Sequence, residues 1–190
     1  MKKTTLIITI IFGAALTAAA QETIPVAEVG FNYSFLRQNP GGSTSGFMAQ
    51  GGSGTAAYNI NRMFGVVADF GVYTNGGAGN LNPTTFTYLF GPRYSVRTSS
   101  RFTPYFQALV GGARVSTSFL DANSNSVSAT DSGFAGAFGG GLDVRLTDSI
   151  AIKPFQVEYL LTNLPNVWST GTTQNNLRYT AGVVFRFGSK

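Results

Sequence analysis

From Ala27 onward, apolar and polar residues alternate with a period of two, the signature of strands with two unlike faces. Eight such segments succeed one another. In Ala27–Leu36, Val29, Phe31, Tyr33 and Phe35 oppose Glu28, Gly30, Asn32 and Ser34. Phe47–Tyr58 is glycine-rich and weaker. Phe64–Tyr73 sets Phe64, Val66, Ala68, Phe70 and Val72 against Gly65, Val67, Asp69 and Gly71. The fourth segment, around Tyr88–Arg97, sets Phe86, Tyr88, Phe90, Tyr94 and Val96 against Thr85, Thr87, Gly91, Arg93, Ser95 and Arg97. Pro104–Val115, Phe134–Leu146, Ile150–Leu161 and Leu177–Phe187 continue the pattern. No amphipathic helix is predicted after residue 20.

The pattern fits two architectures that place the same residues on opposite sides. A soluble sandwich would bury the aromatics; a membrane barrel would turn them to lipid. The connections decide between them. Asn59–Met63, Thr98–Phe102 and Thr147–Ser149 are short, whereas Arg37–Ser45, Thr74–Thr84, Ser116–Ser132 and Thr162–Asn175 are long and polar. Short turns at one end and long loops at the other, with an even number of strands each able to span about 9–11 residues, describe an antiparallel transmembrane barrel. The prediction is therefore an all-β, eight-stranded, up-and-down transmembrane barrel with both termini on the short-turn side.

The charges agree. Glu28, Asp69, Arg93, Arg97, Asp143, Arg145, Glu158, Arg178 and Arg186 all fall on the non-aromatic face. An Arg or Lys facing lipid at mid-membrane costs about 2–4 kcal/mol, a cost avoided in a polar interior where opposite charges pair. Asp69 with Arg93, and Asp143 with Arg178, are the expected partners. Two residues depart from the pattern. Lys153 shares its parity with Phe155 and is expected on the lipid face, snorkelling to the interface near a short turn. Pro92, on the lipid face of the fourth strand, predicts a bulge there.

The ends and composition fix the compartment. Lys2 and Lys3 precede an apolar run, Leu6 to Ala20, that closes Ala18-Ala19-Ala20 before Gln21-Glu22. This is the secretory signal pattern, and the run is shorter than the ~20 apolar residues of a spanning helix. Residues 1–20 are expected to be a cleaved signal peptide and 21–190 the barrel domain. Charged residues make up 11% of the chain, against about 25% in soluble domains. Without Lys2 and Lys3 there remain 11 basic and 8 acidic residues, scattered singly, which gives no reason to expect nucleic acid as a partner.

The last strand carries the most specific motif, Thr180-x-Gly182-x-x-Phe185-x-Phe187. It resembles the C-terminal signal of bacterial outer-membrane barrels that their assembly machinery reads, although here Gly188-Ser189-Lys190 follow the aromatic. With the signal peptide and the eight strands, the mature chain resembles the OmpA/OmpX-type small barrels, a porin-family or outer-membrane β-barrel domain protein. The resemblance implies a monomer in the bacterial outer membrane, with membrane lipids and the assembly machinery as partners. The periplasmic peptidoglycan-binding domain of OmpA is not expected.

No His and no Cys is present, which removes Ser-His-Asp triads, Cys-His dyads and His-ligated zinc. It also argues against the lipid A deacylase and palmitoyltransferase barrels, which resemblance would require to carry a catalytic His. No enzyme activity and no cofactor are expected. Gly51-Gly52-Ser53-Gly54 lacks the Gly-Lys-Ser/Thr of a phosphate loop and reads as a glycine-softened strand. Asp121-x-Asn123-x-Asn125 begins like a calcium loop, but Ser126 and Ser132 stand where Gly and Glu are needed, so it reads as a polar loop. Trp168, with Leu164, Pro165 and Val167, is a candidate loop contact for an extracellular ligand. The expected role is structural, supporting membrane integrity with loops for adhesion or ligand contact. The alternatives are a narrow porin-like channel for ions or small solutes, and a soluble lipocalin-like binder with the aromatics inside.

Overall fold

The computed structural model describes residues 24–38, 47–74, 84–98, 101–120, 126–163 and 173–189. Asp121, Asn123, Asn125 and Trp168 lie outside them. Eight strands follow in order: β1 Ala27–Gln38, β2 Phe47–Asn59, β3 Phe64–Thr74, β4 Thr84–Ser95, β5 Phe102–Leu120, β6 Ser126–Arg145, β7 Ile150–Asn163 and β8 Thr173–Phe187. Each pairs antiparallel with its neighbour in sequence, and β8 pairs with β1 to close the barrel. Closure satisfies every strand edge, the condition for a sheet to cross a membrane.

The faces sort as the alternation predicts. Phe86, Tyr88, Phe90 and Tyr94 are exposed on the outer wall, while Thr85, Thr87, Arg93 and Ser95 are buried inside. So many exposed aromatics would be untenable against water and are at home against lipid. They also pack on one another across strands: Phe31 meets Phe185 edge-on at 6.2 Å, and Phe70 meets Phe90 at 5.6 Å.

The short turns are built by local side chains. Asn61 Oδ1 accepts hydrogen bonds from the amides of Met63 and Phe64, at 2.9 and 2.8 Å, fixing the β2–β3 turn. Thr147 Oγ1 does the same for the Ile150 amide between β6 and β7.

The sheet is strongly staggered. Following paired residues from Ala27 leads through Tyr58, Val66 and Pro92, then Ala108 in unchanged register, Phe138, Tyr159 and Leu177, and returns to β1 at Arg37. The strands are therefore tilted, as closure of a small barrel requires.

Three expectations are corrected. The bulge is on β7 rather than at Pro92. Around Pro92 the pairing with β5 lapses but resumes in register, with Phe90 opposite Val110 and Arg93 opposite Gln107. On β7, Ile152 faces Val144 and Phe155 faces Leu142, so Lys153 and Pro154 share the single position opposite Asp143. The second correction follows from it. The extra residue shifts the parity, both Pro154 and Phe155 face outward, and Lys153 is buried inside. Third, most of the expected loop Ser116–Ser132 is strand: β5 and β6 continue as a ladder until Leu120 faces Ser126.

Candidate functional site

The nine charged residues read as inward do line the interior, and the bulge at Pro154 adds Lys153 as a tenth. Eight of the nine are buried; Arg145, at the short-turn end of β6, is half-buried.

At the level of Asp69, Arg178 binds two carboxylates. Its Nη1 donates to Asp69 Oδ1 at 2.7 Å and to the Tyr73 hydroxyl at 2.8 Å, and its Nε donates to Glu158 Oε2 at 2.7 Å. Glu158 stands directly opposite Arg178 on the neighbouring strand, whereas Asp69 reaches it across the lumen from β3. From Glu158 the network descends. Gln107 Nε2 donates to Glu158 Oε1 at 2.8 Å, and Arg93 Nε donates to Gln107 Oε1 at 3.0 Å. The Arg93 guanidinium also lies 4.4 Å from the centre of the Tyr105 ring, a cation–π contact.

At the short-turn end Glu28 is the shared anion. Arg97 Nη2 donates to its Oε1 at 3.1 Å, Arg93 Nη1 lies 3.5 Å from Oε2, and Arg186 Nε lies 3.6 Å from Oε1. Arg97 also donates to Asn59 Oδ1 and to the Arg62 carbonyl, tying the cluster to the turns beneath it.

The expected pairs Asp69–Arg93 and Asp143–Arg178 are therefore not formed. The stagger lifts Asp69 to the height of Arg178, which Glu158 already neighbours, and leaves Arg93 nearer Glu28. Asp143 instead stands opposite the bulge position that brings Lys153 inside. Lys153 Nζ donates to Gln156 Oε1 at 2.9 Å, and the Tyr105 hydroxyl donates to the same oxygen at 2.6 Å.

Two tyrosines fill the interior where glycines leave space. A Cβ on Gly71 would collide with the Tyr73 ring, and one on Gly141 would sit 2.6 Å from the Tyr105 hydroxyl. Tyr73, Tyr105, Gln107 and Gln156 were missed as interior network members. Gln107 and Gln156 fall on the non-aromatic face by parity, but nothing in their spacing names their partners.

Toward the long loops the interior turns apolar. On β5 Leu109 is the next inward residue after Gln107, and on β7 Leu160 follows Glu158. With Leu36, Leu89, Ala113, Ala135 and Tyr73 they form one buried cluster, none more than 1% exposed. Beyond it Gln38 on β1 donates across the lumen to Thr85 on β4 at 3.3 Å. Thr162 bonds Gln174 and Asn176 at the same rim.

The terminal-strand motif divides between the faces. Thr180 is buried and shares a 2.9 Å hydrogen bond with Ser34 on β1, so it helps close the seam. Gly182 stands opposite Asn32, where a Cβ would be 2.8 Å from the Asn32 Cα. Phe185 and Phe187 face lipid. Among the described residues no cluster of acidic side chains is arranged to hold a metal.

Residues 4–187 match the family model described as the outer membrane protein beta-barrel domain. The chain belongs to that family. As an outer-membrane β-barrel it is placed in the bacterial outer membrane, and its fold recurs among solved structures. Neisserial surface protein A superposes with a TM-score of 0.64 at 17% identity, covering 88% of this chain and 100% of that one. Ail, the attachment invasion locus protein of Yersinia pestis, gives 0.60 at 17% identity, covering 85% and 97%. OprG of Pseudomonas aeruginosa gives 0.50 at 14%, covering 86% and 97%. No curated protein sequence matches this outer-membrane barrel.

Proposed function

We infer that this outer-membrane barrel is a closed structural scaffold that supports membrane integrity and presents its long loops for adhesion or ligand contact, without catalysis. The observation that carries the reading is the filled lumen. Leu36, Leu89, Leu109 and Leu160 are at most 1% exposed, and Arg178 crosses the lumen to Asp69 beneath them. A channel needs a continuous water path, and an eight-stranded barrel is only wide enough for its own side chains to fill.

The test is single-channel recording on residues 21–190 refolded into planar bilayers, after a heat-sensitive gel shift has shown folding. The scaffold reading predicts inserted protein without conductance steps. Reproducible steps that change on Asp69→Ala would refute it and favour the narrow channel for ions or small solutes.

For the loops, Ail supplies a first probe, because one of its structures holds the heparin analogue sucrose octasulfate. Saturable binding of that compound, lost when residues 164–172 are shortened in a barrel that still folds, would support loop contact and bring Trp168 into it. The reading also takes the chain as a monomer whose signal is cleaved after Ala20. It takes Phe185 and Phe187, with Thr180 and Gly182, as the signal for the assembly machinery. Intact mass of the exported protein should correspond to a chain starting at Gln21.

A further inference from the structure

The short-turn end of the lumen holds more cations than carboxylates: Arg93, Arg97, Arg186 and Lys153 stand against Glu28 and Asp143. Arg93, Arg97 and Arg186 all converge on Glu28, and Arg186 is the most distant of the three. Its Nε is buried and makes no hydrogen bond among the described residues, and its side chain is only 6% exposed. Beside it opens a depression of about 360 Å³, lined by Arg145, Arg186, Asp148, Ser149 and Ser189.

We propose that this depression is an oxyanion site that takes a phosphate group from the periplasmic side. Short turns of outer-membrane barrels face the periplasm, so the mouth opens there. Guanidinium groups present planar forks of N–H donors that match phosphate oxygens, and hydroxyls of Ser149 and Ser189 add donors. Asp148 is the opposing charge on the wall, outnumbered by Arg145 and Arg186. The volume is at the low end of the roughly 300–1,000 Å³ of ligand pockets, enough for a phosphate and a small carrying group. Two sources offer that chemistry: free inorganic phosphate, or the headgroup of a phospholipid from the inner leaflet.

The experiment is calorimetric titration of the barrel, refolded in a neutral, phosphate-free detergent, with inorganic phosphate. A parallel titration uses dihexanoyl phosphatidylglycerol, with dihexanoylglycerol as its phosphate-free control. Saturable binding of inorganic phosphate, weakened at least tenfold by Arg186→Gln and unchanged by Arg101→Gln, supports a site for the free ion. Arg101 is an exposed arginine at the same end. Saturation by the phosphatidylglycerol alone, with the same dependence on Arg186, supports a headgroup site. If Arg186→Gln fails to fold by gel shift, Arg145→Gln carries the same comparison. Absence of saturable binding by either compound overturns the proposal, as does parental affinity in the folded variant.

Discussion

Replacing Arg178 with methionine removes the one cation held between Asp69 and Glu158 while keeping much of the side chain's volume. Both carboxylates would remain, each at most 1% exposed, and the Tyr73 hydroxyl would lose its donor. Removing one partner of a buried pair costs about 3–5 kcal/mol, because the remaining charge is left uncompensated. Two carboxylates share this arginine, so their contributions are not additive and the same range is the expectation for the whole substitution. That corresponds to a shift of roughly a hundred- to several-thousand-fold in the unfolding equilibrium. The assay is urea titration of the barrel in lipid vesicles, with the folded fraction read from heat-modifiable gel mobility. Adding Asp69→Asn and Glu158→Gln to Arg178→Met should recover most of the loss, because no buried charge is then stranded. A loss below about 1 kcal/mol for Arg178→Met would mean that water screens the site as it does at a protein surface, and the closed lumen would be refuted.

The same assay checks three further expectations. Lys153→Met should destabilise by about 1–3 kcal/mol, since Asp143 loses the cation opposite it and Gln156 loses a donor. Were Lys153 on the lipid wall, the substitution would stabilise instead, so the sign alone decides. Phe31→Arg, at the most exposed aromatic of the outer wall, should cost about 2–4 kcal/mol if its ring lies near mid-membrane. Gly141→Ala should cost about 1–3 kcal/mol by overpacking against Tyr105, whereas Gly54→Ala, with open space around the added methyl, should be nearly silent.

The strand pattern was legible because alternation is a local property, repeated over ten or more residues by lipid outside and a polar lumen inside. Glu28, Asp69 and Arg178 could thus be placed inward from parity alone. Lys153 could not. Its neighbours Pro154 and Phe155 both face outward, and parity across a bulge cannot be carried forward. Proline marked a break in two strands, yet only at Pro154 did pairing shift. At Pro92 the ladder lapsed without changing register. The pairing of charges was also illegible, because Asp69 meets Arg178 through the tilt of the strands and not through sequence neighbourhood. The β5–β6 extension escaped notice because Ser116, Thr117, Ser118, Ser126, Ser128, Thr130, Asp131 and Ser132 read together as a polar loop. Backbone pairing carries that ladder on until Leu120 faces Ser126.

The reach of the ion pairs bears on how such a barrel enters a bilayer. Arg178 and Asp69 are separated by 109 residues, and Arg97 and Glu28 by 69. A single hairpin inserted ahead of the rest would carry its charges into hydrocarbon with their partners still absent. The β1–β2 hairpin would strand Glu28, and the β7–β8 hairpin would strand Lys153 and Arg186. Stepwise insertion is therefore penalised at each intermediate, and the penalty lifts only when β8 meets β1 and all the charges find one another. The interior network makes membrane entry a concerted event, in which the chain must curl into a nearly complete cylinder before it can sink.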